Sequence, residues 1–229
     1  MEENYSATPL WQSTFIEVAE TAGMLELFPA VWSAAEGLTS PEPKVRAAAL
    51  DRLLEVGAAR LSPLVAYLLA TRIADPDVPL RCRVIRLLRD ILAPDERGHL
   101  APDAVRRHLT SYLASMRTRS IYCLLEAAVA EPDTESSVAS ILNACPYAGN
   151  HLADLLSDRH VPIPLRQQAA CLIGKVGYLE AIPALERMSA RLETRMGGQQ
   201  LMPFAPPSGQ DEQQLLPTIR EALRLLRIP

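Results

Sequence analysis

Apolar residues along this chain recur at spacings of three and four, the period of one face of an α-helix, in segments that can be laid over one another. Aligned on Arg46, Arg81, Arg119 and Arg166, the residue before the arginine reads Val45, Leu80, Thr118 and Leu165, and the residue three after it reads Ala49, Val84, Tyr122 and Ala169. Six and seven after it stand Arg52 and Leu53, Leu87 and Leu88, Leu125 and Glu126, and Leu172 and Ile173; ten after it stand Val56, Ile91, Val129 and Val176. Offsets of −1, +3, +6 or +7 and +10 trace one helical stripe, so each arginine is predicted to open a helix with an apolar face. The copy at Arg119 fits least well, because Thr118 and Glu126 depart from the pattern.

A Pro-rich turn precedes three of these helices: Ser40-Pro41-Glu42-Pro43, Asp75-Pro76-Asp77-Val78-Pro79 and Val161-Pro162-Ile163-Pro164. Proline fits the first turn of a helix and forbids continuation of the helix before it. Gly57 and Gly177 stand eleven after their arginines, where a left-handed C-terminal cap favours glycine. Further helices are predicted ahead of the turns, over residues 24–38, 61–74, 103–116 and 148–158, so the repeating unit is helix, turn, helix. Anchor spacings are 35, 38 and 47, and the longest has room for an additional helix at 134–145, after Glu131-Pro132-Asp133.

The stretches Pro43-Lys44-Val45-Arg46-Ala47-Ala48-Ala49-Leu50 and Pro164-Leu165-Arg166-Gln167-Gln168-Ala169-Ala170-Cys171-Leu172-Ile173-Gly174-Lys175-Val176-Gly177, followed by Ala181-Ile182-Pro183-Ala184-Leu185, resemble the HEAT-repeat family and its armadillo-type relatives. The resemblance covers roughly residues 24–194. It implies an all-α fold of roughly five helix pairs in a right-handed α-α superhelix, where one pair cannot bury its stripe alone and stacking creates a continuous core. The expectation is a single solenoid domain over 1–229. A cap helix at 9–22 carries Trp11, Phe15 and Val18 on one face, and another at 211–227 carries Leu215, Ile219, Leu223 and Leu226. Residues 195–210 are expected to form a Gly/Pro-rich loop. The resemblance also implies that the anchoring arginines bond acidic or carbonyl groups at a neighbouring turn; Glu42 and Asp77 lie one helical turn before Arg46 and Arg81.

Composition agrees with helices: 35 Leu and 32 Ala among 229 residues, against 11 aromatic residues. The net charge is −4, unevenly spread: residues 1–45 carry seven Glu and one Lys, whereas residues 81–119 carry nine Arg against four acids. Arginines number 21 and lysines two, Lys44 and Lys175. The N-terminus has neither a basic nor an apolar leader region, and the longest apolar run, residues 64–70, is too short to span a bilayer. A soluble, cytoplasmic protein is expected, without membrane association. Cys82, Cys123, Cys145 and Cys171 stand singly, with no C-x-x-C pair, so disulfides are not expected, and Cys82, Cys123 and Cys171 are expected to be free core thiols.

Three features are candidate sites. Arg83, Arg86 and Arg89, with Arg106 and Arg107 (and His108) in the next helix, could bind phosphate or an acidic peptide through their planar donors. Nucleic acid is not favoured as the partner, because the chain is acidic overall and no aromatic residues interleave the strip. Leu201, Met202 and Phe204, with Pro203, could form a docking element within 195–210. His151, Asp154 and Asp158 follow one another at helical-turn spacing, which could in principle present a metal with one nitrogen and two oxygens, but no His-x3-His or His-Glu pair supports it and a helix with an acidic solvent face is the preferred reading. No Gly-rich phosphate loop, nucleophile elbow or Cys/His pairing is detectable, so no catalytic residue, metal or cofactor is expected. The expected function is a non-enzymatic protein–protein interaction module, an adaptor, scaffold or assembly factor that binds a protein partner on its concave face or through the 195–210 loop. Nucleic-acid or phosphate binding, and a HEAT-like lyase or DNA-glycosylase-type enzyme, are the alternatives.

Overall fold

A computed structural model describes residues 29–199 and 210–227, with the side chains of 196–199, 210 and 211 excepted. All regular structure among the described residues is helical. The helices are α1 (Pro29–Gly37), α2 (Pro43–Glu55), α3 (Ala58–Leu61), α4 (Pro63–Thr71), α5 (Val78–Leu92), α6 (Asp103–Ala114), α7 (Thr118–Ala130), α8 (Glu135–Asn143), α9 (Ala148–Ser157), α10 (Ile163–Val176), α11 (Ile182–Gln199), α12 (Gln210–Gln213) and α13 (Leu215–Leu226). Short 3₁₀ turns stand at Arg72–Ala74, Pro132–Thr134 and Leu179–Ala181. The cap helix predicted over 9–22 and the start of the helix predicted at 24 lie outside the described residues. No described helix is long and apolar enough to cross a membrane.

Punctuation follows the turn chemistry. Gly57 and Gly177 take φ of +69° and +91° at the ends of α2 and α10, and their N–H groups bond Leu54 O and Ile173 O. Three boundaries differ from expectation. The helix predicted over 61–74 starts afresh at Pro63, where Ser62 accepts from the Val65 N–H (3.2 Å). The helix predicted over 211–227 breaks at Gln214, because Pro217 has no N–H for the Gln213 carbonyl and its ring would strike that group. In the segment predicted as a loop from 195, α11 instead runs on to Gln199, through Gly197 and Gly198. Glycine in a helix costs about 1 kcal/mol relative to alanine, but unlike proline it does not forbid the helix.

The buried stripe is also offset from the one predicted. In α2 it is Arg46, Ala49, Leu50 and Leu53; in α5, Arg81, Val84, Ile85 and Leu88; in α10, Arg166, Ala169, Ala170 and Ile173. Offsets of 0, +3, +4 and +7 are the common set, so the arginine itself lies in the apolar face, while Val45, Val56 and Val129 are exposed. In α7 the same pattern is Ile121, Leu124, Leu125 and Ala128, two residues later than the alignment on Arg119. Without a proline ahead of it, α7 begins at Thr118, and Ile121 becomes the fourth helical residue, the place held by Arg46, Arg81 and Arg166 in their helices.

The described residues fall into two compact units, one drawn from Met1–Arg72 and Asp90–Leu109, the other from Ile73–Arg89 and Thr110–Pro229. In the first, α1 packs on α2, and a Cβ added to Gly37 would lie 2.9 Å from the Ala49 Cβ. Arg60, on α3, donates to Asp90 O (2.7 Å) and His99 O (2.6 Å), fastening the segment that follows α5. In the second unit α10 is central, packed against α7, α8, α9 and α13. A Cβ on Gly174 would meet the Ala222 Cα at 2.7 Å, so glycine permits the contact of α10 with α13. The predicted face of α13, Leu215, Ile219, Leu223 and Leu226, is buried. Lys175 forms an ion pair with Glu135 of α8, and the hydrogen bond it donates to Glu135 is the main cause that raises the lysine's pKa.

Candidate functional site

Burying a guanidinium costs several kcal/mol unless its donors are satisfied, and the turn before a helix leaves carbonyls without donors. Each of the three anchoring arginines gives donors to carbonyls of the segment before its helix. As the fourth residue of its helix, each directs its side chain back over the preceding turn. Arg46 donates through Nη1 to Ser40 O and Pro41 O, both at 2.9 Å. Arg81 donates through Nε and Nη2 to Asp75 O (2.9 and 2.7 Å) and through Nη1 to Cys123 O (3.1 Å) and Glu126 Oε2 (2.8 Å) on α7. Arg166 donates through Nε to Leu156 O (2.8 Å) and through Nη1 to Glu212 Oε1 (3.1 Å). Arg119 is exposed and takes no such place.

The basic strip is divided. Arg83, Arg86 and Arg89 belong to the second unit and Arg106 and Arg107 to the first. Arg86 is ion-paired with Glu131 and also donates to Thr134 Oγ1 (2.9 Å). Arg106 is ion-paired with Asp103 and donates to Ala101 O (3.1 Å), and Arg107 Nε donates to Asp103 O (3.4 Å). Leu201, Met202 and Phe204 lie outside the described residues.

His151 Nδ1 stands 3.0 Å from Thr118 Oγ1, beside a hollow of about 350 Å³ lined by Arg117, Tyr147, Asn150 and Asp154. Asp158 is turned to the His160 N–H (2.9 Å). Among the described residues no group of three His, Cys, Asp or Glu side chains is placed to hold a metal. The four cysteines are free thiols; burial pushes the pKa of Cys82, Cys123 and Cys171 upward, which makes them poor nucleophiles.

A second cluster draws on residues that the sequence reading did not single out. Glu212, on α12, is surrounded by four arginines: Arg195 Nη1 at 2.7 Å, Arg166 Nη1 at 3.1 Å, and Arg159 Nε and Arg191 Nη2 at 3.8 Å. Arg159 lies in the turn before α10, Arg166 on α10, and Arg191 and Arg195 one turn apart on α11. Burial opposes the charged form of Glu212, but the hydrogen bond from Arg166 and the charges of Arg166, Arg191 and Arg159 outweigh it and hold the carboxyl below its ordinary pKa. Burial, reinforced by repulsion from Arg159, Arg195 and Arg166, lowers the pKa of Arg191 despite the attraction of Glu212. The one local hint in the sequence is the pair Arg191 and Arg195; folding alone brings Arg159 and Glu212 to them.

Comparisons with protein-family models, with curated proteins and with solved structures found no match. The chemistry of this cluster therefore rests on its own geometry. It offers planar, permanently charged donors to an anion around a single carboxylate, that of Glu212.

Proposed function

We propose that the chain is a short HEAT-like α-solenoid, a right-handed superhelix of roughly five helix pairs, that acts in the cytoplasm as a non-enzymatic adaptor, scaffold or assembly factor. Its protein partner binds the face lined by the second helices, or residues 195–210. The supporting observation is repetition: Arg46, Arg81 and Arg166 occupy the same helical position, are buried in the same stripe, and fasten carbonyls at the end of the preceding segment. A fastening that recurs at one helical position in three helices suits a stack of like units, and the long open faces of such a stack suit macromolecular partners better than small substrates.

Affinity purification of the full chain from its native source, followed by mass spectrometry, tests this reading. The expected result is one protein recovered in stoichiometric amount and lost either when Arg83→Glu is combined with Arg86→Glu or when residues 197–209 are deleted, with the helical circular-dichroism spectrum unchanged. Failure to recover a stoichiometric protein, or recovery unaffected by both changes, counts against it. Affinity for DNA or RNA that falls steeply with salt and disappears in the charge-reversed protein would replace the adaptor reading with nucleic-acid binding.

A further inference from the structure

The Glu212 cluster holds more positive charge than the surrounding fold neutralises. Four guanidiniums face one carboxylate among the described side chains, and even if Asp211, the next acid in the sequence, is counted, two positive charges remain. Residues 196–210 contain no acid. On α11 the like charges of Arg191 and Arg195 are spaced i and i+4, an arrangement that destabilises a helix on its own. Among the described residues, Arg191 Nε, Arg191 Nη2 and Arg166 Nη2 are also buried with no hydrogen-bond acceptor. An orphaned buried donor costs about 1–3 kcal/mol and calls for a physical reason. The neighbouring groove, about 700 Å³ between α11 and α13, shows the contrasting arrangement: there Arg220 meets Glu193 (2.9 Å) and Arg227 meets Glu186 (2.6 Å), each base with its own acid.

We propose that Arg159, Arg191 and Arg195, seated over the buried Arg166–Glu212 pair, form a receptor for a phosphate monoester group. Access is from the solvent side, since the side chains of Arg159, Arg191 and Arg195 are 57%, 35% and 41% exposed while that of Arg166 is 1% exposed. A carboxylate would neutralise one charge and occupy one fork. A phosphate monoester brings about −1.5 to −2 charges and three acceptor oxygens, which suits the excess charge and the three outer guanidinium forks. Glu212 neutralises Arg166 at the floor and keeps the remaining guanidiniums turned toward one point, leaving the incoming anion to the outer three. The site does not depend on the solenoid reading: either can fail without the other.

The test titrates the full chain, at constant ionic strength, with inorganic phosphate, free phosphoserine, a phosphoserine peptide and its unphosphorylated twin, with acetate as the monovalent control. Binding is read by calorimetry and by the rise in Tm. Phosphate and phosphoserine are expected to bind and acetate to fail, with the affinity for phosphoserine falling as the pH drops below about 6, where the second proton returns to the monoester. Arg159→Ala and Arg195→Ala should each weaken binding about tenfold, the loss expected for one charge-assisted hydrogen bond. Tighter binding of the phosphopeptide than of phosphoserine assigns the group to a macromolecular partner, and equal binding assigns it to a small molecule. Equal effects of phosphate and acetate, or phosphate binding that survives the double replacement, overturn the proposal. Should Arg195→Ala fail to fold, Arg159→Ala, in an exposed turn, carries the same comparison alone.

Discussion

Arg166 and Arg119 hold the same place in the repeat spacing, yet one is sealed in the core and the other is exposed. Arg166→Ala leaves Leu156 O without its donor and strips Glu212 of its buried partner, so unfolding by urea should show a loss of about 3 kcal/mol or more. Arg119→Ala should change stability by no more than about 0.5 kcal/mol in the same measurement. Equal effects would show that the spacing, rather than the helical position, decides burial. Glu212 sets a pH dependence at this site. Its folded pKa is depressed, so its contribution to stability is present above the unfolded carboxyl value of about 4.3 and is lost as the pH falls through the folded value. Thermal melts should therefore show Glu212→Gln less stable than the parent at neutral pH but losing less stability on acidification. The arginine positions were legible as a period, but their burial was not. Hydropathy sets charge outside the core, and only the carbonyls of the preceding turn, which a linear pattern does not display, reverse that rule.

Helix contacts in both units rely on glycine in two different senses. At Gly174 the missing side chain makes room, so Gly174→Ala forces α10 away from Ala222 and should lower stability by about 1–3 kcal/mol. At Gly57 nothing lies within 4 Å of an added Cβ, and the cost of Gly57→Ala is that of the left-handed backbone alone, about 1 kcal/mol. Comparing the two melting temperatures checks the ranking. Helix starts were readable where the turns holding Pro43, Pro79 and Pro164 marked them, whereas the fresh start at Pro63 was not read. α7 lacks such a mark, which is why its register slipped by two residues. Pro217 carried the information for the break at Gln214, but the continuous apolar face of Leu215, Ile219 and Leu223 masked it.

At the scale of the whole molecule, composition alone made the all-helical character legible. The arginine cluster was not, because Arg159 and Glu212 are joined only through the packing of α10, α11 and α13. All four cysteines fall within the second unit. Cys82, Cys123 and Cys145 are buried and Cys171 is partly accessible, so thiol labelling of the native protein followed by mass spectrometry should modify Cys171 first. The other three should react only as fast as that unit opens. Rapid labelling of Cys123 in the native protein would contradict its burial. The two side-chain amines are divided between the units: Lys44 is exposed in the first, and Lys175 in the second is kept protonated by Glu135. An amine-directed dye therefore marks the first unit preferentially and a thiol-directed dye marks only the second. The natural sequence thus carries an orthogonal pair of attachment points, from which energy transfer can measure the spacing of the two units without a single substitution.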